Sequence, residues 1–218
     1  MDYTLVIGNK NYSSWSMRAW LLMRLAEVDF AEVVVPLYED GSRAAVQELG
    51  GETGLVPVLV ANGTPIWDTL AITETLYEES PTIWPSDPVR RARARSYSGE
   101  VHSGLNPLRN AMPVNTRARN RQPVIDDDVR ADIARVFAIW ATVGTYTDGP
   151  WLFGPFCAAD VMFAPVAARF RTYAIEPTSE AAAYYRMLLS HPWVVEWFAA
   201  GEAESRVISM FELPTRSD

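Results

Sequence analysis

At 218 residues, 49% of them apolar and eight of them tryptophan, the chain is long enough to fill one large core or two modest ones. Its 19 basic residues against 27 acidic ones leave a net charge of -8, which disfavours phosphate backbones and anionic lipid and sets nucleic acid and membrane surfaces aside as partners. A single cysteine, Cys157, excludes an internal disulfide; with no CxxC or Cys/His cluster there is no metal framework, and a reducing, cytoplasmic setting fits.

The first strand is expected almost at once, at Tyr3 to Ile7, with no basic segment and apolar run ahead of it, so no secretory signal is expected. Gly8 breaks the strand, and from Trp15 the apolar residues Ala19, Leu22, Met23 and Ala26 recur at helical spacing. Between the two lies NYSSWSMRAW, residues 11–20, which puts Ser13, Ser14 and Ser16 at a helix N-terminus. Each of these hydroxyls can cap free first-turn amides, and the same turn favours a negative charge just beyond its end. A cap is the commoner role for such serines, and nothing within the ten residues separates cap from catalyst.

Phe30 to Pro36 reads as a second strand, giving a βαβ unit with the crossover length of a parallel pair. Residues 38–50 read as a loop or short helix. Val56 to Val60 and Pro65 to Trp67 read as short strands around Asn62-Gly63, a strong hairpin signal. Pro57 at a strand start removes a ladder donor, so an edge position or a cis bond is expected there. Asp68-Thr69 then opens a helix over Leu70 to Glu79 as a capping pair.

The prolines Pro81, Pro85 and Pro88 bracket a linker, beyond which strand signals disappear; the expected units are residues 1–80 and 88–218. Helices are expected at about 88–112, 126–146, 158–174, 179–190 and 191–200. Arg90, Arg91, Arg93 and Arg95 read as a solvated or dimer-facing helix face. Tyr97, Met112 and Trp151 read as core, and His102 as a satisfied or exposed histidine. The longest apolar stretches, such as Val161 to Ala168, fall far short of the roughly 20 residues of a spanning helix. The chain has no GxSxG, GxxxxGK or GxGxxG sequence, so Ser-hydrolase, P-loop and dinucleotide-binding readings lack their primary signal.

Four pieces in this order carry a resemblance: Ser14 with Arg18 at the first helix start, Val56-Pro57, WDTLAI at 67–72, and GPFCAADVMFAP at 154–165. The chain resembles the glutathione transferase family, in particular its serine-type, theta- and zeta-like bacterial members. The resemblance implies α/β plus all-α architecture: a thioredoxin-like βαβ-ββα amino-terminal domain followed by an all-helical carboxy-terminal domain. It further implies a homodimer and glutathione as co-substrate, with no metal.

By the same resemblance, Pro57 is cis and Val56 offers backbone groups to the cysteinyl part of glutathione. Asp68 and Thr69 would hold the γ-glutamyl end, and Ser13 and Arg18 would complete the glutathione-binding set. Ser14 would donate a hydrogen bond to the glutathione sulfur, readying it for attack on a small electrophile. Lowering a thiol pKa from about 8.5 by about two units requires roughly 2.7 kcal/mol of preference for the anion. One hydrogen bond to a charged group supplies about 1.5 to 3 kcal/mol, and a helix N-terminus about 0.3 to 1. One serine therefore suffices without a His or Cys base, although Tyr12, Ser13 and Ser16 lie within a turn of it.

Two departures stand out. The cysteine of the zeta SSCS motif is missing, which weakens a maleylacetoacetate-type isomerase reading, and Leu55 stands where many relatives carry a cation for the glycyl end. Cys157 takes a helix-cap position in which Ser or Thr is usual, with Asp160 three residues on. A non-catalytic binding module and a glutathione-dependent cis-trans isomerase are the competing readings.

Overall fold

The computed structural model of the chain describes residues 2–146 and 149–216. Its first strand, β1 (Tyr3–Ile7), is nearly all buried and pairs on both sides. β2 (Ala31–Val34) runs parallel to it, after the crossover helix α1 (Ser14–Leu25). On the other side β3 (Val58–Ala61) and then β4 (Thr64–Ile66) run antiparallel, giving the order β2-β1-β3-β4. Asn62 and Gly63 between them have φ of +48° and +83°, the two left-handed positions that a tight two-residue hairpin demands.

Pro57 is joined to Val56 by a cis bond and lies just outside β3, which begins at Val58. The missing donor therefore falls ahead of the ladder. Residues 38–50, expected as loop or short helix, contain α2 (Ser42–Glu48). Asp68 caps α3 (Thr69–Glu79), accepting from the Leu70 N–H at 3.0 Å. This is the thioredoxin-like sheet-and-helix arrangement expected from the sequence.

Beyond α3 the described residues form no further sheet. The helices α4 (Pro88–Ser103), α5 (Asn106–Ala111), α6 (Asp127–Trp140), α7 (Ala158–Tyr173), α8 (Ser179–Ser190) and α9 (Pro192–Ala203) follow in order. Where the sequence predicts one continuous helix over 88–112, two are found. Pro107 cannot donate to the carbonyl four residues back and would clash with it, so the chain breaks at Gly104 and at Leu105, whose φ is +57°. α6 likewise stops at Trp140, short of the expected residue 146, and runs into a turn containing Gly144 at φ +84°.

α7 is the central post of the molecule: every residue from Ala158 to Tyr173 except Arg171 is buried. α1, α4 and α8 pack around it. Such a helix shows no amphipathic stripe because it has no solvent face. Its start is a capping box. The Asp160 carboxylate accepts from the Cys157 N–H at 2.9 Å, the Leu152 N–H at 3.2 Å and the Tyr184 hydroxyl at 2.9 Å. The Cys157 thiol, a weak acceptor, faces the Asp160 amide from the other side. Burial pushes the Cys157 thiol up and the Asp160 carboxyl up to about 6, against the hydrogen bonds that favour its ionised form.

Replacing Cys157 with serine puts a stronger acceptor in the same place, so Cys157→Ser should raise stability by about 0.5 to 1 kcal/mol, read as a higher Tm. A raised carboxyl pKa means that the folded state binds its proton more tightly than the unfolded one. The stability this contributes is full below about pH 4 and is lost as pH rises through about 6. Urea unfolding of the parent relative to Asp160→Asn should show the parent losing roughly 3 kcal/mol of its relative stability across that window, with a plateau above it.

Candidate functional site

The turn from β1 into α1 is built by hydroxyl chemistry. Ser13 is the N-cap of α1: its Oγ accepts from the Ser16 N–H at 3.2 Å and donates to Ser16 Oγ at 2.7 Å. Ser16 Oγ also accepts from the Gly8 N–H at 2.9 Å, which locks the strand end to the helix start. Tyr12 is engaged elsewhere, donating to Glu212 Oε1 at 2.6 Å and accepting from the Ile208 N–H and from Arg117. Of the four neighbouring hydroxyls, Ser13 and Ser16 are thus committed to holding the turn and Tyr12 to the carboxy-terminal segment. Ser14, the first residue of α1, accepts from Arg169 Nη2 at 3.4 Å and lines a cleft of about 630 Å³.

One wall of that cleft comes from the amino-terminal elements: Tyr12, Ser13, Ser14 and Trp15, the 37–43 segment, and Gly54, Leu55 and Val56. The opposite wall comes from Asn106, Arg109, Asn110, Pro113, Val114, Arg169 and Phe211. Ser14 and Val56, far apart in sequence, therefore share one cavity. Pro57 does not line it but fixes the turn that presents Val56. Asp68 and Thr69 lie outside this lining, and Asp68 connects to it through His102. The His102 Nε2 is 3.1 Å from Asp68 Oδ2, and its ring meets Trp15 edge-on at 5.1 Å. Thr69 is fully buried, and its Oγ1 has no hydrogen-bond partner among the described residues.

Arg18, expected beside the ligand, is instead behind the cleft. It is fully buried on the core side of α1, donates from Nε to the Met162 carbonyl at 3.1 Å, and packs on the Trp15 ring at 4.8 Å. The helix period explains this: four residues after Ser14 the side chain returns to the same side one turn deeper, under the residue that lines the cavity. Arg109 lies 4.9 Å from the Trp15 ring centroid and donates to the Val101 and His102 carbonyls at the end of α4. Trp15 is thus held by two guanidinium groups.

Arg169 is the side chain that brings the two walls together. Its Nε donates to the Met112 carbonyl at 2.8 Å and Nη1 to the Pro165 carbonyl at 3.2 Å, which leaves Nη2 aimed at Ser14. Burial, with Arg109 nearby, brings its pKa down to about 9; burial also lowers Arg109 and, far more, Arg18. Asp132 offsets this in part for Arg109. Three arginines around one serine make a strongly electropositive enclosure that favours an anion.

Three further residues of the cleft have no role assigned from sequence: Arg43, Arg109 and Arg169. Arg169 left a trace, because an arginine inside the otherwise apolar run from Val161 to Phe170 is costly and signals a function. Arg43 left none. It enters the cleft from α2, donates to the Thr53 carbonyl at 3.0 Å and packs against Gly54, where a Cβ would meet Arg43 atoms at 3.1–3.4 Å. Its guanidinium therefore lies on the same wall as Leu55, the position that lacks the cation of many relatives. Among the described residues, no group of three His, Cys, Asp or Glu side chains converges to hold a metal, and no helix is long and apolar enough to cross a membrane.

Residues 12–79 match the family model described as glutathione S-transferase, N-terminal domain. A probable maleylacetoacetate isomerase of Caenorhabditis elegans is 36% identical over 100 residues, 45% of this chain and 46% of that protein, so the match spans about half the length of that relative. Maleylacetoacetate isomerase of Rattus norvegicus is 28% identical over 170 residues, 75% of this chain and 77% of that protein. Among solved structures, a Burkholderia glutathione transferase homologue with bound glutathione superposes with a TM-score of 0.69 at 21% identity, covering 94% of this chain and 100% of that one. Residues 12–79 thus carry the glutathione S-transferase amino-terminal domain, and the chain shares the fold of a glutathione transferase homologue along nearly its whole length.

Proposed function

We propose that the chain is a glutathione-using enzyme in which Ser14 stabilises the glutathione thiolate for attack on a small electrophile that carries an anionic group. The observation that carries this reading is the Arg169–Ser14 contact at the cleft floor. Because the Ser14 oxygen accepts from a guanidinium, its own hydrogen is directed to another acceptor, and a sulfur anion over the start of α1 is the acceptor that suits it. Residues 1–80 hold glutathione in this reading, and residues 88–218 hold the electrophile. Assembly as a homodimer and a cytoplasmic location belong to the same reading.

The rest of the tripeptide has partners of the right chemistry. Val56 offers strand-like backbone groups to the cysteinyl part. Thr69, whose hydroxyl at the start of α3 has no partner among the described residues, suits the γ-glutamyl carboxylate, and Asp68 suits its ammonium. Arg43 supplies the glycyl end with the cation that Leu55 does not. In this cleft the chain's own residues bind and orient the tripeptide and hold the Ser14 proton toward the sulfur, while Arg109 and Arg169 hold the acceptor's charge.

A second reading is glutathione-dependent cis-trans isomerisation. It uses the same thiolate, which adds to a double bond, lets it rotate and leaves again, so nothing is consumed. Arg109 and Arg169 favour it, since together they suit an acceptor bearing more than one carboxylate, and the matched relatives are named as isomerases. Glutathione titration by thermal shift, then conjugation of a generic aryl halide and isomerisation of an acidic cis-enone, separates these readings from a pure binding module. Binding with neither turnover supports the module, and no binding at all removes glutathione from all three.

Ser14→Ala should keep glutathione affinity within about twofold while kcat falls about 10- to 100-fold, the equivalent of one hydrogen bond to an anion. Unchanged turnover would take Ser14 out of the mechanism. Arg43→Ala should instead weaken glutathione binding about tenfold and leave the saturated rate nearly intact, as measured by calorimetry and by initial rates.

A further inference from the structure

The segment after α9 does not trail away into solvent. Residues 204–216 double back across the cleft as a strap, tied down at both ends. Glu204 accepts from the Lys10 and Asn11 amides at 2.7 and 3.1 Å, and Arg206 pairs with Glu39. Glu212 accepts from the Tyr12 hydroxyl, from Asn115 Nδ2 at 2.8 Å and from Arg121 Nη2 at 2.8 Å. Farther on, the Gln122 N–H donates to the Pro214 carbonyl and the Arg216 N–H to the Asn120 carbonyl. Between these ties the strap offers one large apolar side chain to the cavity, Phe211.

The Phe211 ring spans the boundary between protein and water. Its centroid is 5.9 Å from that of Tyr12, which is 6% exposed, and 5.0 Å edge-to-face from that of Tyr38, which is 63% exposed. Ser14 lies on the inner side of this line, 8% exposed. The loop that carries Tyr38 is tied on both sides, by the Leu37 N–H donating to Asn9 Oδ1 at 2.8 Å and the Ser42 hydroxyl donating to the Pro36 carbonyl at 2.6 Å. Two rings set edge to face at a rim, one on a fixed loop and one on a tied strap, form a constriction.

We propose that Phe211 is a specificity-determining residue: with Tyr38 it forms an aromatic constriction at the mouth of the cleft that admits slim acceptors and rejects broad ones. The proposal rests on reading this cleft as the acceptor site. Tyr12 is the latch: it borders the catalytic turn on one side and holds Glu212 of the strap on the other. The acceptor class that fits both ends is narrow and apolar along its length, with its negative charge at the inner end near Arg109 and Arg169.

The test uses the thiol introduced at the cleft floor by Ser14→Cys, since Cys157 is buried and silent to labelling. Iodoacetamide and a pyrene-bearing maleimide report small and broad reagents, and the ratio of their rates, broad over small, cancels changes in thiol reactivity. Adding Phe211→Ala should raise that ratio at least tenfold; adding Tyr12→Phe, which keeps the ring but removes one of the three hydrogen bonds on Glu212, should raise it by a smaller factor, about twofold or more. An unchanged ratio in both double variants overturns the proposal, and circular dichroism identifies a variant that fails to fold. No glutathione enters the ratio measurement, so its outcome stands apart from the functional reading, which fails separately if S-methylglutathione, which has no free thiol to consume the reagent, does not slow labelling by iodoacetamide.

Discussion

A guanidinium buried without a carboxylate beside it is an expensive object, and the site depends on one. Arg169 is carried into the interior by α7 and survives there because the Met112 and Pro165 carbonyls accept two of its edges. Carbonyl oxygens satisfy hydrogen bonds without cancelling charge, so the net positive field passes to Ser14. Had an aspartate taken their place, the arginine would be more stable and the field at the serine would be lost. Arg109 differs: it is half-buried, Asp132 offsets part of its desolvation, and its guanidinium leans on the carbonyl end of α4, where the helix dipole is negative.

For that field to act, the serine turn has to be held against the helical unit, and a buried asparagine does this. Asn11 is fully buried and accepts through its side chain from the Thr116 hydroxyl and the Arg117 N–H. It also donates to Asn115, and its own carbonyl accepts from the Thr116 N–H. Close approach is needed on the far side, where a Cβ on Gly201 of α9 would meet the Thr116 hydroxyl at 2.5 Å and Asn11 backbone at 3.1 Å. A polar seam of this kind is directional, so it fixes the relative position of Ser14 and Arg169 more sharply than apolar contact would.

Local chemistry is readable in the sequence, and convergence is not. Asn62-Gly63 announces a hairpin and Asp68 a cap because those residues act on backbone within three positions of themselves. The break at Gly104 and Leu105 is also encoded locally, in Pro107, yet the apolar periodicity on either side of it reads as one helix. The cleft is another matter: Arg43, Arg109 and Arg169 sit on three helices and meet only in the folded chain. The role of Tyr12 illustrates the limit most clearly. Its hydroxyl competes with Ser14 as a sulfur ligand in the sequence, and its actual partner, Glu212, lies 200 positions away.

The capping cysteine at the head of α7 also bears on the redox chemistry of a protein proposed to handle a thiol. Such a protein works in constant contact with both the reduced and the oxidised form of its co-substrate. A surface cysteine of ordinary acidity would exchange with the oxidised form and leave the protein glutathionylated. Here the chain's one sulfhydryl is 2% exposed, and burial suppresses its thiolate. The only sulfur nucleophile at the cleft is then the one that diffuses in, and the protein's working state is uncoupled from the redox poise around it.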